Sequence, residues 1–286
     1  MGREIRFAEL SYARPTDPVW KQVLIRGVEN LSGRERLADL YDQWRTEIFG
    51  KSETIFTEML KLIEVELVAG GTWPPFNLPS GPLVMIANHP YGIGDGIAFL
   101  SLAEQINRPF RVIINNDLLK VPEIRPYSLP ISFEETKEAI ALNLQTRREA
   151  VRLSKEGVTI IIFPSGGVAT APKGVGKAVD LPWKMFVARL VQSANANVIP
   201  VHFQGQNGWL FHLASRFSLT LRTSMLIREF QRLYGKQIHA TIGETITADQ
   251  LSKMTDRAQL LKYLQNAVFS LAPPSVKNSQ PSSVRS

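Results

Sequence analysis

The stretch Leu83-Val84-Met85-Ile86-Ala87-Asn88-His89-Pro90-Tyr91-Gly92-Ile93-Gly94-Asp95-Gly96 decides the reading of this chain. Its first five residues form a short, wholly apolar run of the kind that makes a strand buried on both faces, and helical spacing follows over residues 96–106. A strand, a glycine-containing loop and a helix in that order put the loop at the carboxyl end of a strand, where α/β proteins gather their ligands. Comparable apolar runs recur at residues 110–114, 159–163 and 198–201, alternating with helical stretches at 134–156 and 183–194. The fold class expected is α/β, a central mostly parallel or mixed sheet flanked by helices.

Upstream of this stretch, Leu37, Leu40, Tyr41, Trp44 and Ile48 recur at three- and four-residue steps. The helical pattern extends from residue 18 to about 68, so residues 1–68 are expected to form an N-terminal helical region. The segment Gly70-Gly71-Thr72-Trp73-Pro74-Pro75 breaks it, and the α/β domain is placed at 69–272. Residues 273–286, rich in Pro, Ser and Asn, are expected to be a disordered tail. No internal repeat is found. Pro200, inside the apolar run Val198-Ile199-Pro200-Val201, suggests a bend or bulge near a pocket.

Composition excludes whole classes of chemistry. The chain has 286 residues and no cysteine, so disulfides, Cys-ligated zinc or iron–sulfur clusters and thiolate nucleophiles are ruled out. Its 44% hydrophobic and 21% charged content is that of a globular protein. The longest near-apolar run, residues 158–163, falls far short of the roughly 18–20 residues a spanning helix needs. The N-terminus lacks an apolar leader, and Arg6 stands where a myristoylation signal requires Ser or Thr, so a cytoplasmic setting is expected. The net charge of +7 is carried entirely by residues 158–286, with 14 basic and 5 acidic side chains. Such a region attracts polyanions: nucleic acid, anionic lipid or an acidic carrier protein. Its centre, Trp209-Leu210-Phe211-His212-Leu213 followed by Arg216, Arg222, Arg228, Arg232 and Lys236, has Glu229 as its sole acid. It reads equally as a solvated helix face or as an interfacial surface.

Four segments hold groups able to do chemistry. In the first, His89 precedes Asp95 through a glycine loop that lets the carboxylate fold back onto one imidazole nitrogen, leaving the other as a base. There is no built-in nucleophile, so the substrate's own hydroxyl would serve. The alternative is that Asp95 caps the following helix and His89 is an ordinary loop histidine. In the second, Phe163-Pro164-Ser165-Gly166-Gly167 also follows a strand, and its glycines let N–H groups approach phosphate or an oxyanion, or else form a simple tight turn. In the third, Lys120 and Arg125 flank a proline-bounded loop suited to an anionic headgroup, or to solvation. The Pro200 strand is the fourth.

Taken in order, these segments resemble the glycerolipid acyltransferase superfamily, which includes 1-acylglycerol-3-phosphate acyltransferases, over residues 80–246. Asn88, His89, Pro90, Gly92, Asp95 and Gly96 are similar to the Asn-His-Pro-x-Gly-x-x-Asp-Gly form of its hemolysin-like subgroup, which contains lyso-ornithine lipid O-acyltransferases. The resemblance implies His89 as general base and Asp95 as its partner. It implies substrate-binding roles for Asn88, for Lys120 and Arg125 in the headgroup motif, where Pro122 and Glu123 also fit, and for Ser165, Gly166 and Gly167 in the third motif. Most relatives have Phe-Pro-Glu-Gly there, and Ser165 in place of the Glu weakens the case for lysophosphatidate and leaves open a lysolipid with another headgroup, ornithine lipid among them. The implied reaction is acyl transfer from an acyl carrier protein or coenzyme A thioester to the hydroxyl of a lysophospholipid or lyso-ornithine lipid, with no metal or other cofactor. The implied setting is peripheral, on the anionic inner face of the plasma membrane, and nucleic acid is not expected as a partner.

Two other readings compete. Gly92-Ile93-Gly94 with Asp117 downstream suggests a dinucleotide-binding oxidoreductase, but Ile97 occupies the third glycine's place. A phosphate-binding loop at Gly176-Lys177 fails because Ala171 and Ala178 stand where Gly and Ser or Thr are required. A non-enzymatic basic protein binding membrane or nucleic acid accounts for the charge but not for the His89 and Ser165 loops.

Overall fold

A computed structural model describes residues 7–13, 17–71, 73–75 and 77–273. Most of the tail expected at 273–286 and the first six residues lie outside the described residues. In chain order the helices are α1 (Val19–Leu31), α2 (Arg34–Gln43), α3 (Ile55–Leu62), α4 (Ile93–Glu104), α5 (Lys137–Lys155), α6 (Phe186–Ala194), α7 (Trp209–Phe217), α8 (Leu219–Ser224), α9 (Leu226–Gln231), α10 (Ala248–Ser252) and α11 (Arg257–Phe269). The strands are β1 (Glu66–Gly70), β2 (Leu83–Ala87), β3 (Phe110–Asn115), β4 (Ser128–Ile131), β5 (Thr159–Ile162), β6 (Asn197–Phe203) and β7 (Gln237–Ile242).

The strands form one sheet in the order β1-β7-β6-β2-β5-β3-β4. All neighbours are parallel except β6 and β7. This is the expected α/β fold. β2 lies at the centre, with Val84 opposite Ile160 of β5 and Val198 of β6. Because side chains alternate across a strand, Leu83, Met85 and Ala87 face one layer and Val84 and Ile86 the other. The first layer holds Tyr41, Trp44, Phe56, Phe99 and Leu102; the second holds Ala150, Val187, Leu190 and Leu260. Burial on both faces explains why the central strands are continuous apolar runs.

Three strands were not expected, each for a physical reason. The helical pattern stops at α3, where Glu64 takes φ +55°, and residues 66–70 run as an edge strand beside β7, correcting the helix assigned to residues 66–68. β4 contains Pro130, which is tolerated because this is the other sheet edge and needs no second ladder. β7 alternates exposed and buried residues cleanly, but it follows directly on the basic stretch. The irregularity signalled by Pro200 is present. Val198 bridges Ile246 while Val201 pairs with Ile242, so three steps of β6 oppose four of its partner, and the Gly243 N–H donates to Pro200 O at 2.9 Å. Pro200 does not line the cavity described below.

Candidate active site

The chain leaves β2 through Asn88, whose Nδ2 donates to Phe203 O (2.9 Å) while its Oδ1 accepts from the Phe203 N–H (2.7 Å). This two-point clamp fastens the loop to the end of β6. The role expected for Asn88, contact with substrate, is corrected: its carboxamide is buried, spent on main chain and absent from the cavity wall.

His89 follows and does line the cavity. Its Nδ1 lies 3.1 Å from Asp95 Oδ1. The cap of α4 is Gly92, at φ +91°, so Asp95 sits inside the first turn rather than capping the helix. There it is fully buried, and its Oδ2 accepts from the Tyr91 N–H at 2.9 Å, so one carboxylate fixes both the imidazole and the loop. The imidazole also stacks on Phe163, with centroids 4.0 Å apart. With Nδ1–H directed at the carboxylate, Nε2 keeps its lone pair, and it makes no hydrogen bond among the described residues. The site therefore presents an oriented base to the cavity.

A second carboxylate, which no motif pointed to, acts on the same residue. Asp180 Oδ1 accepts from the His89 N–H at 3.2 Å, and its Oδ2 accepts from the Trp183 indole at 3.0 Å. Burial pushes the Asp180 carboxyl above the usual carboxylate range, opposed by these two hydrogen bonds. His89 O in turn accepts from the Ala169 N–H at 2.7 Å.

The glycine turn is partly inward-looking. Ser165 is buried and donates to Gly167 O at 2.9 Å, and the Gly166 N–H closes the turn on Phe163 O at 2.9 Å. The Gly166 amide is therefore not offered to a ligand, whereas the Gly167 N–H has no acceptor among the described residues. Gly166 adopts φ +67°, and a Cβ there would lie 2.7 Å from the Phe133 ring. Gly166 and Phe133 line the cavity; Ser165 and Gly167 stand behind them. Lys120 reaches the cavity wall, donating to Ser11 O and lying 5.2 Å from the Tyr12 ring centroid. Arg125 does not: it is exposed and donates to Leu119 O at 2.6 Å.

The cavity encloses about 370 Å³ between the N-terminal helices and the sheet. Its wall is apolar, with Leu40 and Trp44, Met59 of α3, Ile97 and Leu100 of α4, and Ile114 of β3. Its volume is in the range of small-molecule sites. Among the described residues no cluster of three or more His, Asp or Glu is placed to hold a metal ion.

Residues 76–269 match the family model described as Acyltransferase. The chain belongs to this acyltransferase family. Two lyso-glycine lipid O-acyltransferases are similar to it, one from Phocaeicola vulgatus and one from Bacteroides thetaiotaomicron. Each is 26% identical, over 208 and 210 residues, covering 68% of this chain and 70% and 72% of the relatives. The solved 1-acyl-sn-glycerophosphate acyltransferase PlsC from Thermotoga maritima aligns at 18% identity with a TM-score of 0.49, covering 87% of this chain and 94% of that one. The family match bears out the resemblance drawn from the motifs. In this acyltransferase the glycines that suggested a dinucleotide loop serve packing instead: Gly92 caps α4, and a Cβ on Gly94 would lie 2.3 Å from Leu233.

Proposed function

We propose that this acyltransferase moves an acyl chain from a carrier-protein or coenzyme A thioester to the hydroxyl of a lysolipid with an amino-acid headgroup. His89 acts as general base and Asp95 orients it. The observation that carries the reading is the pairing of a free His89 Nε2 with an apolar cavity, while Nδ1 is held by a buried carboxylate. The names of the two relatives support the acceptor class.

In this reaction the hydroxyl proton passes to Nε2 as the oxygen attacks the thioester carbonyl. The tetrahedral oxyanion is stabilised by main-chain N–H groups. Collapse expels the thiolate, which takes the proton back from the imidazolium. A thiol pKa of about 8.5 makes it a good leaving group, so one base suffices. The acyl chain lies along the apolar wall of the cavity.

The enzyme works peripherally, on the inner face of an anionic membrane. Among the described residues no helix is long and apolar enough to cross a membrane. Val19, Trp20 and Val23 of α1, with Phe217 at the end of α7, are exposed, and the surrounding C-terminal region is basic. The test is purified enzyme supplied with acyl carrier protein and coenzyme A thioesters and lysolipid acceptors, with products read by mass spectrometry beside His89→Ala. A diacyl product lost in the variant is expected; near wild-type turnover by His89→Ala would sink the mechanism.

A further inference from the structure

Arg222 stands apart from the other cations of the basic stretch. It comes from α8, yet its guanidinium reaches the Gly166-Gly167 turn, donating to Val168 O. Its Nη2 would lie 3.7 Å from a Cβ built on Gly167, and its Cζ is 5.8 Å from the Phe211 ring centroid. No carboxylate pairs with it among the described residues. The one acid of its region, Glu229, is taken by the Gly208 N–H and by Arg232. The Nε and Nη1 groups of Arg222 donate to nothing among the described residues, and neither is sealed from solvent.

A guanidinium drawn half out of water with no counter-charge is costly, and burial lowers its pKa accordingly. An anion supplied from outside would recover that cost through charge-assisted hydrogen bonds. The place of the group says which anion. Residues 164–172 contain no charged side chain, so this turn has no cation of its own. Gly166, on one side of the turn, lines the cavity with His89, and Ala169, on the other, holds the His89 carbonyl. Arg222 itself is not on the cavity wall, so a ligand with its hydroxyl at His89 meets it by extending its polar end past Gly166 along this turn.

We propose that Arg222 binds the anionic headgroup of the acceptor lipid, a carboxylate or a phosphate, and so sets acceptor specificity. The proposal rests on the acyl-transfer reading above and deepens it. Arg222 also holds Val168 O, so a loss of activity on substitution would not by itself separate binding from support of the turn. The ratio between a charged acceptor and its neutral ester does, because damage to the turn lowers both alike.

The experiment compares wild type, Arg222→Gln, Arg222→Met and Arg222→Lys on an N-(β-hydroxyacyl)glycine, its methyl ester and lysophosphatidate. The wild type should favour one anionic acceptor over the ester by roughly ten- to a hundredfold in kcat/KM. The two neutral variants should lose that preference mainly through KM, and Arg222→Lys should keep part of it. Whichever anion shows the Arg222-dependent gain is the headgroup recognised. An unchanged preference in a folded neutral variant, or none in the wild type, overturns the proposal. In parallel, an N-acylglycine lacking the hydroxyl is titrated against its methyl ester. If the wild type acylates nothing, the acyl-transfer reading fails, and the anion site is judged by this binding arm alone. Tighter binding of the acid, lost in the neutral variants, supports it, and equal binding overturns it.

Discussion

The main-chain N–H of His89 donates to Asp180 Oδ1 at 3.2 Å, across 91 positions of sequence. His89 is thus held twice, by Asp95 through its ring and by Asp180 through its backbone. Asp180→Asn replaces an acceptor oxygen by an NH2 group, and one of its two donors, the His89 N–H or the Trp183 indole, then loses its partner. That costs about 1–3 kcal/mol of stability and lowers kcat with little change in KM. The pH dependence has a definite sign. Because the folded Asp180 carboxyl titrates above its unfolded value, its contribution to stability is full below the ordinary carboxyl range and is lost as pH rises through the folded value. Urea unfolding across that window should show the gap between wild type and Asp180→Asn narrowing as pH rises. A gap that widens would refute the assignment.

Asn88→Ala should act on the fold, not on substrate. It strips partners from both the N–H and the C=O of Phe203, each worth about 1–3 kcal/mol when left buried and unpaired. Unfolding midpoints should fall accordingly, while the KM of the remaining folded enzyme stays near wild type. A tenfold rise in KM at unchanged stability would restore the substrate-binding role.

How much of this was legible in the sequence follows from which signals are local. Leu83 to Ala87, Thr159 to Ile162 and the His89/Asp95 loop announced themselves because burial on both faces and a glycine-rich exit are written in adjacent residues. β1 and β4 were hidden, the one continuing a helical pattern with a charged first residue, the other carrying a proline that only an edge position explains. The site divided in the same way. His89 and Asp95 are six residues apart and could be paired by inspection. Asp180 reaches His89 from 91 residues beyond it, and Arg222 reaches the glycine turn from 54 beyond Val168, through contacts that no spacing rule encodes. Asn88 stood out by its place in the motif and Ser165 by its departure from one, and the polar atoms of both bond to the backbone.

The cavity wall offers a test of chain-length selection. Met59 of α3 faces the cavity, and Met59→Trp replaces a flexible side chain with a larger rigid one. Each methylene excluded forfeits about 0.8 kcal/mol, or roughly a fourfold loss of kcat/KM. A series of acyl thioesters of increasing length should therefore show the optimum moving to shorter chains. An unshifted optimum would mean that the acyl chain lies elsewhere.

The exposed face of α1 carries the prediction on membrane contact. Trp20, Val23, Leu24 and Leu31 recur at helical spacing on one stripe, with Trp20 69% and Leu31 92% exposed, while Ile25 and Glu29 face inward. A soluble surface gains nothing from this stripe, whereas each large apolar side chain gains about 1.5–3 kcal/mol on leaving water. Nearby basic residues add about 1 kcal/mol each at an anionic surface. Trp20→Glu removes the largest of these apolar groups and adds repulsion from anionic headgroups. Its partitioning onto vesicles of anionic phospholipid, measured by flotation, should fall at least about tenfold. Turnover on acceptor presented in vesicles should fall with it, and far more than turnover on the same acceptor in detergent micelles. Wild-type binding should weaken with salt, because the electrostatic part is screened over a Debye length of about 8 Å at physiological ionic strength. If Trp20→Glu floats with vesicles as well as the wild type does, α1 is not the membrane-facing surface and the exposed stripe has another partner.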